Sequence, residues 1–227
     1  MNAKLFVDRF SEEYESRGKH KYLFYRRLVD AVIRQIDRNK GKFLDLGTGN
    51  GELAVRVAMR FPRSKVTGLD MSEEMIGKAK RKARRIGLKN IDFVPSSMEK
   101  MKLENIDTVM SSFVFHHIKD KQKVISAVHK RLPKNGKLII GDWFRPSKEY
   151  VSDVEKIRSR YPNSANEFDK SWTEFLGSMS EEYRERHTKE YLICPTELKE
   201  IMKKAGFKRQ NIVKLPIADF AVVVGVK

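Results

Sequence analysis

The chain of 227 residues has a single cysteine, Cys194, which excludes an intrachain disulfide and a cysteine-rich zinc site. We expect Cys194 to pack as a small buried apolar side chain, as free cysteines usually do. Long apolar runs are also missing, so no membrane span is expected. The opening stretch "MNAKLFVDRF" lacks the apolar centre of a secretory signal, and we expect a cytoplasmic protein. No internal repeat, low-complexity tract or flexible linker divides the chain. No grouping of His, Cys and acidic residues has metal-ligand spacing, so no metal is expected. Glycine is absent from one telling place. The stretch "FLDLGTGNGELA" at 43–54 has Gly47, Gly49 and Gly51, but the dinucleotide fingerprint needs glycine at 52, where this chain has Glu52.

What is there is a short apolar strand entering a glycine turn and leaving as a helix, with Asp45 at the strand's end. A pyrophosphate would meet that carboxylate where helix amides should attract it, so a phosphate is disfavoured and a cationic group beside Asp45 fits better. From Gly41 onward, strands near 42–46, 65–70, 91–95, 106–112 and 136–143 alternate with helices near 51–61, 72–87 and 120–132. This alternation implies a parallel sheet with right-handed crossovers. A helix at 196–205, capped by Thr196 and stopped by Gly206, precedes strands near 208–214 and 219–226, which a short link containing Pro216 should close as an antiparallel hairpin.

Two segments stand outside the sheet. Residues 1–40 carry the helical stripe Leu28, Val29, Val32, Ile33 and Ile36, and 147–190 read as aromatic-bearing helices punctuated by Pro162 and Gly177. Neither has enough apolar residues for a core of its own, so both are expected to act as caps on the sheet. Lysine and arginine outnumber the acids 47 to 30, a formal charge of +17. The densest run, "KAKRKARR" at 78–85, lies on a helix whose buried stripe is Met75, Ile76, Ala79, Ala83 and Ile86. Its cations occupy the solvated face and the C-terminal turns, where they complement the helix dipole and lie away from the ligand-binding strand ends. A solvated surface is the favoured reading of that charge, and an RNA-binding patch the competing one.

An acid before a G-x-G-x-G turn, an acid ending the second strand and a terminal hairpin together resemble the class I S-adenosylmethionine-dependent methyltransferases. The resemblance spans roughly 40–145 and 190–227, with "DLGTGNG", "VTGLDMS", "FVPSSME" and "DTVMSSFVFHHI" similar to the family's motifs in their order. It implies an α/β, Rossmann-like, doubly wound and mostly parallel seven-stranded sheet ending in the hairpin. It also implies a single domain over 1–227: cap 1–40, cofactor-binding core 41–146, cap insertion 147–190, and a completing segment 191–227. The implied cofactor is S-adenosylmethionine. Asp45 would meet its ammonium, with Gly47, Thr48 and Gly49 around the methionine portion, and Asp70 would accept from the ribose hydroxyls while Met71 packs on adenine. Ser97, standing where the family commonly has an acid, and the Met98 backbone would meet the adenine amino group. Ser112 and Phe113 would lie near the methionine portion, and Tyr14 or Tyr22 would reach the cofactor carboxylate.

His116 and His117 follow at once and are the candidates for taking a proton from an acceptor, because histidine titrates near working pH. The competing reading is a helix-start histidine bonded to backbone. Methyl transfer from a sulfonium requires no dedicated base, so positioning and exclusion of water can suffice. The absence of "NPPY" or "DPPY" after the fourth strand argues against a nucleobase amino acceptor, and Cys194 lies outside that region. The expected function is methyl transfer to a small molecule held between core and caps. The alternatives are a tRNA or rRNA methyltransferase, favoured by the charge and by "RGKHK" at 17–21, and a non-catalytic protein that binds the same cofactor.

Overall fold

The computed structural model describes residues 22–97, 100, 105–178, 191–216 and 219–227. The expectations for Tyr14, Met98 and the "RGKHK" stretch fall outside them.

Five strands run parallel: β1 (Lys42–Leu46), β2 (Lys65–Asp70), β3 (Ile91–Pro95), β4 (Thr108–Ser112) and β5 (Lys137–Trp143). The hairpin of β6 (Arg209–Lys214) and β7 (Phe220–Val226) completes a seven-stranded sheet in the order β3-β2-β1-β4-β5-β7-β6, with β7 antiparallel to both neighbours. This is the doubly wound mixed sheet expected from the sequence. Strand order reverses between β1 and β4, so a crevice opens beyond their C-terminal ends, where ligands of such sheets bind.

The inner strands are buried on both faces, while the edge strands β3 and β6 are mostly exposed or half-buried, and side chains divide with period two. Along β5 and β7, Ile139, Phe220, Val222 and Val224 join one core while Leu138, Ile140, Ala221 and Val223 join the other. On the first face lie α1 (Leu23–Arg34), α2 (Glu52–Arg60), α3 (Glu73–Ile86) and α6 (Pro162–Gly177). On the second lie α4 (Lys121–Arg131), α5 (Lys148–Arg160) and α7 (Pro195–Lys204). Local chemistry sets the helix ends. Ser72 Oγ accepts the Met75 N–H at the start of α3 (3.3 Å), and Gly87 ends that helix in the left-handed region at φ +79°.

Three local expectations are corrected. Strand β4 starts at Thr108 rather than 106, although Ile106 is buried. Helix α7 starts at Pro195 with Cys194, not Thr196, as its cap, because Pro suits the first helical position and Glu197 reaches back to accept the Cys194 N–H at 2.5 Å. Cys194 is consequently half-buried rather than core.

The two segments outside the sheet meet each other. Tyr22, which precedes α1, offers its helix no side-chain cap. Ser171 of α6 supplies one: its Oγ accepts the Leu23 N–H at 2.8 Å and lies 3.4 Å from the Phe24 nitrogen. Phe24 packs against Trp172 and Phe175 of α6 at centroid distances of 5.0 and 5.1 Å, and against Phe113 at 6.1 Å. No helix among the described residues is long and apolar enough to cross a membrane. Ser171→Ala should lower the stability of the ligand-free chain by about 0.5–2 kcal/mol, the usual cost of a lost helix cap, as read by urea denaturation. An unchanged midpoint would show that α1 does not depend on this cap.

Candidate active site

Three aspartates stand at the C-terminal edge of the sheet, and all are buried: Asp45 in β1, Asp70 ending β2 and Asp142 in β5. Loops leaving a parallel sheet carry N–H groups that the ladder does not pair, and a buried donor needs an acceptor. The carboxylates provide it. Asp70 accepts the Gly49 N–H at 2.8 Å and the Ser72 N–H at 3.0 Å, tying the glycine turn to the start of α3. Asp142 accepts the N–H groups of Phe115 (2.5 Å), Trp143 (2.7 Å) and Val114 (3.1 Å), and shares a 2.5 Å hydrogen bond with His116 Nδ1. Burial pushes the Asp142 carboxyl up to about 6, against the pull of those backbone donors.

Asp45 is different. Its Oδ2 accepts from Thr48 Oγ1 at 2.7 Å, but Oδ1 has no hydrogen-bond partner among the described residues. The Ala54 amide near the start of α2 favours the ionised form without meeting hydrogen-bond geometry at Oδ1. Burial dominates and pushes the Asp45 carboxyl up to about 7; the Thr48 bond opposes this and the Asp70 charge adds to it. An unpaired buried acceptor costs about 1–3 kcal/mol, so the turn holds a carboxylate oxygen that a cationic donor would satisfy.

The glycines of the turn have separate uses. Gly47 and Gly49 both have positive φ, +69° and +53°. A Cβ at Gly47 would come within 2.6 Å of Val114, so the contact that excludes a side chain there is with the β4 loop; beside Gly49 nothing lies within 4 Å. Open space therefore adjoins Gly49, next to Asp70 and across the turn from Asp45. The end of β3 joins this edge: the Ser96 N–H donates to the Asp70 carbonyl at 2.8 Å, and half-buried Ser97 follows it. Met71 is half-buried beside Asp70.

Beyond β4, Ser112 and Phe113 are buried, and Phe113 takes φ +60°, an uncommon conformation for a bulky residue. Its ring packs among Phe24, Phe220 and His116, so close packing holds the backbone there. His116 is buried against Asp142, whereas His117 is exposed. Sequence reading overlooked two participants. Tyr25, from α1, brings its hydroxyl to 3.4 Å from Ser112 Oγ, and burial raises its pKa well above the usual phenol range. Asp142 stood in plain view as an acid near the end of a strand, the same signal that marked Asp45 and Asp70. Among the described residues no group of His, Cys, Asp and Glu could hold a metal ion.

The profile of a family described as a methyltransferase domain matches residues 37–206. The demethylmenaquinone methyltransferase of Thermotoga maritima is 24% identical over 221 residues, covering 91% of this chain and 88% of the relative. That of Lactobacillus johnsonii is 27% identical over 190 residues, covering 81% and 75%. Among solved structures, the magnesium protoporphyrin IX methyltransferase of Synechocystis PCC 6803 with bound SAH shares the fold at a TM-score of 0.68, over 100% of both chains at 19% identity.

Because the folded-state pKa of Asp45 is raised from 3.8 to about 7, its contribution to stability is greatest at acid pH and is lost as pH rises through that window. Asp45→Asn, which cannot ionise, should therefore stabilise the ligand-free chain by about 2–4 kcal/mol at pH above 7 and by much less near pH 4. Urea melts of both proteins across pH give the comparison; an equal difference at every pH would mean that Asp45 does not titrate in this window.

Proposed function

The chain belongs to the class I S-adenosylmethionine-dependent methyltransferases, and we propose that its acceptor is a small molecule with an apolar body, enclosed between the sheet's C-terminal edge and helices α1 and α6. The cofactor is S-adenosylmethionine. When bound, it supplies a methyl group already activated on a sulfonium, ready for in-line displacement. Its ammonium matches the unpartnered Asp45 Oδ1, and the open space beside Gly49 leaves room for the ligand without a side chain to displace.

From these features we assign roles. Asp45 meets the ammonium, directly or through water, with Gly47 and Thr48 setting the turn. Asp70, at the end of β2, accepts from the ribose hydroxyls, and Met71 and Ser97 adjoin the base. Tyr25 and Ser112, whose hydroxyls meet on the β4 side of the crevice, are suited to the carboxylate end. His116 orients the loop after β4 through Asp142, while exposed His117 beside it is the remaining candidate for the base. Residues 1–227 act as one domain in this reading, with 1–40 and 147–190 as covers.

One observation carries the choice of acceptor. The covers are joined to each other through Ser171 and bring Phe24, Trp172 and Phe175 against Phe113 and Trp143 at the strand ends, with Trp143 and Trp172 5.4 Å apart. A packed aromatic wall beside the strand ends suits an apolar ring and exclusion of water better than it suits a polyanion. The names of the two curated relatives point to a quinone precursor, which has that character. Incubation with methyl-labelled cofactor and fractionated cell extract tests the proposal: label should enter small organic-soluble metabolites and be insensitive to ribonuclease. Label recovered in RNA would replace this reading with the nucleic-acid one.

Asp70→Ala should weaken binding of the demethylated cofactor by about 1.5–3 kcal/mol, the cost of removing a charged hydrogen-bonding partner. Calorimetric titration of the folded variant measures it, and unchanged affinity would remove Asp70 from the site. The demethylated cofactor should also raise the melting temperature by mass action, and NAD should not.

A further inference from the structure

The parallel sheet gives the molecule two chemically different ends. Helices α2 and α3 begin with acids at the crevice, Glu52 in one and Glu73 and Glu74 in the other, and finish at the opposite end in Arg60 and in Arg84 and Arg85. The last turns of α1, α4 and α7 are likewise basic. Complementing helix dipoles accounts for those cations. It does not account for a second set. At the same end, the strands themselves begin or finish with lysines that no helix dipole attracts.

The register places these in a row. Lys42 of β1 pairs with Lys65 of β2, and Lys89 lies just before β3, whose Ile91 pairs with Val66. Across the sheet, Lys137 of β5 pairs with Val226, one residue before Lys227, and Lys208 donates its N–H to the Val226 carbonyl. With about 4.8 Å between strands, Lys89, Lys65 and Lys42 span about 10 Å along the sheet edge, and Lys208 stands about 19 Å further along it, beyond Asp107, Lys137 and Lys227, whose ammonium is bonded to the His129 and Leu132 carbonyls. Two acids at this end are already engaged, Asp37 with Lys137 at 2.7 Å and Asp107 with Arg38 at 3.6 Å. Lys42, Lys65, Lys89 and Lys208 are exposed and have no ion pair among the described residues.

We propose that this cationic end is a docking surface for the phosphate backbone of duplex RNA, separate from the methyl-transfer site. Three adjacent lysines without ion pairs among the described residues, Lys42, Lys65 and Lys89, flanked by Arg60, Arg84 and Arg85 at the helix ends, match a line of phosphates. Single-stranded RNA would call for exposed aromatic rings on which bases stack. Among the described residues, the large apolar side chains exposed towards this end are aliphatic, Met59 and Ile86, while exposed Tyr191 bonds through its N–H to His116 O at the crevice end. Two isolated aliphatic residues also fall short of the broad apolar face by which a protein enters a bilayer surface. The sheet's length, about 20 Å, separates the row from the crevice. RNA held here is therefore an anchor for the enzyme and not its methyl acceptor, and the proposal stands whatever the acceptor is.

Fluorescence anisotropy with a labelled duplex RNA of about 20 base pairs tests it. The full chain should bind without sequence preference, losing about 10²-fold in affinity between roughly 50 and 200 mM salt, as release of counterions from four or five phosphates requires. Lys42→Glu/Lys65→Glu/Lys89→Glu should weaken low-salt binding by at least about 30-fold and reduce the salt slope by about 3. Lys203→Glu/Lys204→Glu/Lys208→Glu should do likewise, while Lys119→Glu/Lys123→Glu, near the crevice, should leave binding unchanged. Retained response to the demethylated cofactor in thermal melts establishes that each variant is folded. Equal RNA affinity in folded wild type and both row variants would overturn the proposal. So would binding to vesicles rich in anionic phospholipid with no binding to the duplex.

Discussion

The site is built on one constraint: loops that leave the C-terminal edge of a parallel sheet must find acceptors for their N–H groups without help from the ladder. Asp70 and Asp142 answer it by accepting from the backbone of Gly49, Ser72, Val114, Phe115 and Trp143. These bonds hold the glycine turn, the start of α3 and the loop after β4 in fixed relation. Asp45 is the third carboxylate of the set, and its Oδ1 lacks such a donor among the described residues. The same stock of buried acids thus supplies acceptors for loop backbone at two strands and, at a third, an oxygen left without a donor among the described residues. Burial of that carboxylate weakens the ligand-free chain as pH rises, and in the proposed reading the cofactor's ammonium compensates.

The covers solve a second problem. A methyl group on a sulfonium needs little chemical assistance, so what the protein must supply is alignment and a dry enclosure. In the proposed reading, helices α1 and α6 supply its walls, which neither could hold alone, since each lacks a core of its own. Ser171 caps α1 from a distance of 148 residues in sequence, and Phe24, Trp172 and Phe175 interlock with Phe113 beneath. The left-handed Phe113 marks where that packing meets the strand end, and its neighbours on every side keep it there.

Polarity of the sheet also organises charge. Each helix places its charges by the local rule of dipole complementation, and the parallel crossovers add those placements into a molecule whose crevice end is mixed and whose opposite end is basic. The run "KAKRKARR", read by itself, is a solvated helix face. Only when the helix packs on β2 and β3 does its last turn come to the sheet end that carries Lys65 and Lys89.

Local signals in the sequence determined the order of strands and helices, the terminal hairpin, and the glycine turn flanked by Asp45 and Asp70. Each of these depends on residues close together in the chain: apolar period, turn chemistry, an acid at a strand's end. The start of α7 was misplaced by a residue because Pro195 and Glu197 outweigh Thr196 as a start signal. Tertiary structure alone decided the rest. That Tyr25 meets Ser112, that Ser171 caps α1, that Val114 forbids a side chain at Gly47, and that Asp142 holds His116 are contacts between segments far apart in sequence. No periodicity encodes such contacts. They follow from how crossovers bring strand ends together, and so does the orphaned oxygen of Asp45, because the lack of a partner is a property of the assembled surroundings and not of the residue.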